Sequence, residues 1–295
     1  MLPTSRHHGD GFDGRKIEIA TVIAFANQKG GVGKTTLSVL CACWLAQFAR
    51  KNVLYVDFDA QGSATNILVG RKNMTSTRSE HLFENQLDEI KSQKVALPLP
   101  LPIYRKRINN DAVFQEATLD LIGSYSGDAK GYDTEALPLA SIADGAKNIA
   151  RLKSDYDFIV IDCPPSLGRR LSAALCATDY VICPIKLSGQ AVDGLGNLVR
   201  TIIGIKERIN HKLNFLGVVI NEFSTGATHA ESLSNLRKDK TMSKLLFKTL
   251  IRRNAPTDTA MTRGLPIWSL PSAFKALDEF SAFMVEMLER IEQTK

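Results

Sequence analysis

The chain has 295 residues, of which 44% are hydrophobic and 23% charged, an ordinary globular composition with material for one large α/β domain or two small ones. No apolar run approaches the ~20 residues that a membrane helix needs, and the first twenty residues carry His7, His8, Asp10, Asp13 and Arg15 without the apolar core of a secretory signal. The formal charge is +6, and between Asn197 and Arg263 twelve Lys and Arg stand against five Asp and Glu. An excess gathered in one region is how an electrostatic footprint for a polyanion looks, although a solvated basic face has the same composition.

Residues 1–18 read as a disordered lead-in, and 19–293 as one domain. In chain order, strands are predicted at Ile19–Ala26, Val53–Phe58, Leu119–Ile122, Phe158–Ile161, Tyr180–Pro184 and Phe215–Ile220. They are continuous apolar stretches rather than alternating ones, as parallel strands buried on both faces are. Amphipathic helices are predicted near 34–50, 138–153, 169–177, 192–210, 229–240 and 273–293. Such alternation implies an α/β fold with a doubly wound, mostly parallel sheet and helices on both faces. The stretch 71–118 fits this pattern least. Its Pro-Leu-Pro-Leu-Pro run at 98–102 and the basic Arg105, Lys106 and Arg107 mark an insertion, with some helix near 80–93. The five cysteines include no metal-type CxxC pair and read as reduced thiols.

The residues after the first strand carry the most specific signal. The run Lys29-Gly30-Gly31-Val32-Gly33-Lys34-Thr35-Thr36 meets the Gly-x4-Gly-Lys-[Ser/Thr] pattern loosely, yet it follows a buried strand and opens a helix. Glycine amides and a helix N-terminus then converge on one point of positive potential. Lys34 can reach the β- and γ-phosphates of a nucleotide, and the Thr35 hydroxyl can ligate Mg²⁺. Asp57 and Asp59 follow the second strand, at the carboxyl end where they overlie a γ-phosphate. Phe158-Ile-Val-Ile-Asp162 is an apolar strand ending in a carboxylate, the Walker B arrangement, with Asp162 and Asp57 assigned with Thr35 to the magnesium shell.

Lys29 is not needed by an ordinary phosphate loop, and with it the run resembles the signature of the ParA/MinD family of deviant Walker A ATPases. The resemblance spans about Ile19 to Ile291 apart from the insertion. It implies that Lys29 reaches across a nucleotide-sandwich homodimer to the partner's phosphates, and that Asp59 positions the attacking water. Asn221, after Gly217-Val-Val-Ile, falls where the family contacts adenine. Ala60 stands where the family usually has Pro, and Ala173 and Ser188 replace polar or acidic residues expected around the switch II helix and dimer face.

By the same resemblance the closest match is a partition ATPase: weak turnover of ATP to ADP and phosphate, stimulated by a ParB-like centromere-binding partner, with non-specific DNA bound by the ATP dimer in the cytoplasm, on the nucleoid. Lys244, Lys248, Arg252 and Arg253 are the candidate DNA contacts, with Arg105, Lys106 and Arg107 next. A MinD-like membrane or cargo switch and a metabolic P-loop enzyme are the alternatives. The acidic final helix, with Asp278, Glu279, Glu286, Glu289 and Glu292, speaks against the membrane. No helix-turn-helix precedes the phosphate loop, so operator binding is not expected.

Overall fold

Among the described residues, eight strands form a single sheet: β1 (Thr21–Phe25), β2 (Val53–Asp57), β3 (Val95–Ala96), β4 (Leu119–Ile122), β5 (Phe158–Asp162), β6 (Tyr180–Ile185), β7 (Asn214–Phe223) and β8 (Leu246–Arg252). A computed structural model describes residues 19–70, 78–84, 88, 90, 91, 94–97, 117–124, 134–187 and 193–294. The lead-in at 1–18, the proline run, Arg105, Lys106, Arg107 and Ser188 lie outside the described residues. The order across the sheet is β3-β4-β2-β5-β1-β6-β7-β8, with every pairing parallel except the edge pair β3 and β4.

The helices are α1 (Lys34–Gln47), α2 (Ser63–Val69), α3 (Ala140–Leu152), α4 (Arg169–Ala177), α5 (Asp193–Arg208), α6 (Ala227–Lys238), α7 (Met242–Leu245), α8 (Ala255–Thr262) and α9 (Phe274–Glu292). Two cores lie on opposite faces of the sheet, and the strands feed them alternately. Val22 and Ala24 of β1 join Leu54, Val56, Ile159 and Ile161 on the face covered by α3, α4 and α5. Ile23 and Phe25 join Val53, Tyr55, Phe158 and Val160 on the face covered by α1 and α9. Both sides of each strand are therefore apolar, which is why no polar alternation appears in the sequence. Helix α1, predicted amphipathic, is instead buried at every residue from Leu37 to Ala46 except Trp44, because it is apolar on all sides.

Three short helices, α2, α7 and α8, have no counterpart in the predicted elements. Helix α2 is only seven residues long, too short for a periodic signal to emerge. Helix α8 carries its own start signals, Asn254 accepting from the Thr257 amide and a proline in the first turn. Within the stretch read as an insertion, Leu82, Phe83 and Ile90 belong to the core. The helix predicted near 80–93 opens there as a 3₁₀ turn over Ser79–Phe83.

Strand β8 ends the sheet, and a terminal strand must satisfy its backbone without a further neighbour. Two glutamates of α9 contribute. Glu286 accepts from the Lys248 and Thr249 amides at 2.8 and 2.9 Å and from the Thr249 hydroxyl at 2.9 Å. Glu279 accepts from the Arg252 amide at 3.1 Å. Arg290 pairs with Glu286 at 2.9 Å and stacks its guanidinium 4.0 Å from the centre of the Phe247 ring. Burial alone would raise the Glu286 carboxyl, but the donors from Lys248 and Thr249, with Arg290, hold it below its ordinary 4.5. A depressed carboxyl stabilises the fold above its unfolded value and loses that contribution as pH falls through the folded one. Glu286→Gln should cost about 1–3 kcal/mol near neutral pH, read from urea midpoints. The gap to wild type should narrow once the pH drops below 4.5; a gap independent of pH would contradict this role for the charge.

Candidate nucleotide site

The loop between β1 and α1 is shaped by its own side chains and by β6. Asn27 donates to the Pro184 carbonyl at 2.7 Å and accepts from the Lys29 amide at 2.9 Å, which turns the chain away from the strand. Gly33 then takes φ 97° at the start of α1, a left-handed conformation that disfavours any side chain. A Cβ at Gly33 would also overlap Asn221 Nδ2. No side chain caps α1, and no acidic residue lies in its first turn. Its N-terminal amides and dipole are therefore not offset by a cap or an acidic residue of the helix itself. Lys34 is almost fully buried, with its ammonium 3.4 Å from the Lys29 carbonyl.

The parallel register sets the carboxylates. Asp57 of β2 lies opposite Asp162 of β5, and Phe25 of β1 sits at the same level. The two aspartates thus stand on adjacent strands at the carboxyl edge, beside the strand that leads into the phosphate loop, where ligands of open α/β sheets bind. The Thr35 hydroxyl donates to Asp162 Oδ2 at 2.6 Å. Asp162 Oδ1 is buried with no hydrogen-bond partner among the described residues. Burial, then the Asp57 charge, pushes the Asp162 carboxyl well up, against the pull of Thr35 and Lys34. A buried carboxylate with one open oxygen beside a hydroxyl is a donor set that fits Mg²⁺, which takes one or two protein oxygens and completes its shell with phosphate and water. Thr35 and Asp162 would hold it.

Asp57, expected from the sequence to support the magnesium shell, is held by hydrogen bonds from the residues that follow β2. Its Oδ2 accepts from the Thr65 amide and hydroxyl at 2.9 and 2.7 Å, and its Oδ1 from the Asp59 amide at 3.1 Å. Both oxygens are thus taken by the loop that follows β2. Burial raises the Asp57 carboxyl while the Thr65 donors oppose the rise. Asp59 itself is half-buried, with Oδ1 accepting from the Gln61 amide at 3.0 Å.

Asn221 at the end of β7 donates to the Val32 carbonyl at 3.0 Å, so it braces the phosphate loop. It also lines a cleft with Thr36, Arg253, Asn254 and Thr257. Glu222 beside it holds φ 52° and pairs with Lys186. The four cations assigned to DNA divide. Lys244 and Lys248 are exposed, Arg252 is ion-paired with Glu279, and Arg253 borders the Asn221 cleft. Ala173 is fully buried, packed where α3 passes at Gly145, and so offers nothing to a partner. Burial pushes the Cys163 thiol well up, which disfavours the reactive thiolate. Thr65 escaped the sequence reading, although a hydroxyl run just after Gly62 was a usable signal. Arg170, considered below, had none, because nothing distinguishes it from Arg169 in the sequence.

A model described as an AAA domain matches residues 20–215. The sporulation initiation inhibitor protein Soj of Bacillus subtilis is 32% identical over 254 residues, 83% of this chain and 89% of that protein. The chromosome partitioning protein ParA of Myxococcus xanthus is 29% identical over 273 residues, 92% of this chain and 89% of that one. Among solved structures, apo McdA of Cyanothece superposes with a TM-score of 0.70 at 18% identity, covering 91% of this chain and 99% of that chain. A cobyrinic acid a,c-diamide synthase of Mycobacterium smegmatis, with an ATP analogue and magnesium, reaches 0.64 at 24% identity, covering 87% and 94%. The chain belongs to the ParA/MinD-type branch of the AAA-domain family, alongside the ParA and Soj partition proteins.

Proposed function

We propose that the chain is a Mg²⁺-dependent ATPase that dimerises on ATP, binds DNA without sequence preference and drives partition of a plasmid or chromosome. The observation that carries the reading is the open Asp162 oxygen, beside Thr35 and at the mouth of an uncapped helix holding Lys34. Lys34 and the amides of Gly30, Gly31, Val32, Gly33, Thr35 and Thr36 hold the β- and γ-phosphates. Magnesium, when bound through Thr35 and Asp162, supplies charge neutralisation between the phosphates. Asp57 acts on that shell indirectly, by fixing the loop that carries Asp59. Asp59 orients the water, and Lys29 reaches the nucleotide of the second copy. Asn221 places the base in the cleft beside Thr36, with Arg253 at its rim.

The cytoplasmic, nucleoid-bound partition role, with a ParB-like protein stimulating hydrolysis, rests on the Soj and ParA relatives. The diamide synthase shares only the fold at 24% identity, which gives a metabolic role no specific support. A membrane role is disfavoured by α9. Its apolar face, including Phe280, Phe283, Met284 and Met287, is buried against the protein, and its Glu279 and Glu286 are engaged by β8. No helix among the described residues is long and apolar enough to cross a membrane.

Lys34→Ala should abolish ATP binding in equilibrium titrations; affinity within a factor of about two of wild type would remove the phosphate-site assignment. Lys29→Gln and Asp59→Ala should each retain ATP binding and lose hydrolysis. Mixing the two variants should restore part of the turnover, because one mixed-dimer site pairs an intact lysine with an intact aspartate; mixed dimers without turnover would place Lys29 in its own chain's site. DNA affinity should be higher with ATP than with ADP, and anionic vesicles should not bind in either state. Lys244→Ala with Lys248→Ala should lower affinity for all sequences alike and reduce the log-log salt slope by about two. Arg252→Ala, already paired with Glu279, should have the smaller effect. Binding unchanged by the lysine pair would locate the footprint elsewhere.

A further inference from the structure

Helix α4 begins with two arginines, and Arg170 is 5% exposed in the interior. Its guanidinium gathers four separate segments. It pairs with Glu80 of the 3₁₀ turn at 2.7 Å and donates to the Thr134 hydroxyl at 2.9 Å. Longer contacts reach the Phe58 carbonyl at 3.4 Å and the Ser124 hydroxyl at 3.5 Å. Phe58 is the residue between Asp57 and Asp59. Ser124 donates its amide to Thr65 at 2.8 Å, and Thr65 in turn donates to Asp57. Arg170 therefore meets the Asp59 loop twice: directly at Phe58, and through Ser124, Thr65 and Asp57. From its other end it belongs to the helix that follows Asp162.

The energetics argue that this pair is not there for stability. The Arg170 and Glu80 side chains are 6% and 7% exposed, and the desolvation of two such charges commonly equals or exceeds their attraction. Phe58, Leu82, Phe83 and Leu171 belong to the core around the pair, beside the hydroxyls of Thr134 and Ser124, so two apolar side chains would fill most of the space. The network is also incompletely satisfied, because Glu80 Oε2 and Ser79 Oγ are buried without partners among the described residues. What a guanidinium offers over a leucine is direction: planar donors that hold several acceptors in one arrangement.

We infer that Arg170, locked by Glu80, is a positioning residue for hydrolysis: it ties the loop carrying Asp59 to the helix leading from Asp162, and so sets the water-orienting carboxylate against the phosphate site. The inference rests on the ATPase reading above and adds to it a coupling inside one chain. It is independent of Lys29, of dimerisation and of DNA.

The test compares Arg170→Met, the double variant Arg170→Met with Glu80→Leu, Arg170→Lys and Glu80→Gln. Three quantities are read: urea stability, kcat and KM for ATP, and hydrogen exchange of the amides from Asp57 to Thr65 in the nucleotide-free protein. Arg170→Met alone should be destabilised, since it leaves Glu80 buried without a counter-charge. The double variant should recover wild-type stability yet show kcat reduced roughly tenfold or more with KM little changed, as misplacement of a catalytic group does. Its loop amides should exchange roughly tenfold faster, and Arg170→Lys should restore part of kcat. Recovery of stability and kcat together in the double variant would overturn the inference and leave Arg170 a packing residue. If the double variant does not fold, Glu80→Gln decides: wild-type kcat and wild-type exchange would overturn the inference equally. A wild-type protein without ATP hydrolysis, whose loop nevertheless loosens in the variants, would remove the ATPase reading and keep the coupling. Normal hydrolysis with unaltered exchange would do the reverse.

Discussion

Asp162 is fully buried, receives the Thr35 hydroxyl on one oxygen and has no donor among the described residues for the other. A carboxylate in that position is costly unless a cation completes it. The strand register and the start of α1 set the charges around it. The parallel register brings Asp57 alongside Asp162, adding like charge, and the uncapped start of α1 and the Lys34 ammonium supply positive potential from the third side. A cation held by Thr35 and Asp162 would offset the charge of the buried carboxylate.

Asp57 shows how little separates a ligand from a brace. It lies one strand from Asp162 and at the same level, yet its oxygens are spent on Thr65 and on the Asp59 amide. Those bonds fix the entry to α2 and thereby the direction of Asp59. Together with the Arg170 contacts they give the loop after β2 two attachments, one to the phosphate-site strands and one to α4. A loop so attached is tied to both the phosphate-site strands and the helix after Asp162, while Asp59 stays half-buried and Ala60 and Gln61 exposed.

The far edge of the sheet illustrates a different economy of charge. The glutamates of α9 read, in the sequence, as an acidic surface that anionic lipid would repel. In the fold, Glu279 and Glu286 turn inward to the amides of β8, and Arg290 closes over Phe247. The apolar face of the same helix covers the second core. Glutamates that read in the sequence as a lipid-repelling surface thus serve in the fold as acceptors for an edge strand.

Sheet class, the phosphate loop and the two strand-end aspartates were legible in the sequence because each rests on local chemistry: glycines before Lys34-Thr35, and apolar runs that stop at Asp57 and Asp162. Long helices such as α9 were legible for the same reason, since periodicity over 19 residues is unambiguous. Helix α2 was not, because seven residues held by a carboxylate eight positions upstream carry no periodic signal. The membership of Leu82, Phe83 and Ile90 in the core was hidden by the polar, proline-containing stretch around them. Tertiary structure alone separated like from like: Asp57 from Asp162, Arg170 from Arg169, Arg252 from Lys248. These residue pairs have the same or similar side chains within short distances in the chain or sheet. What distinguishes them is the partner that comes from far away, and sequence order does not encode which distant donor will arrive.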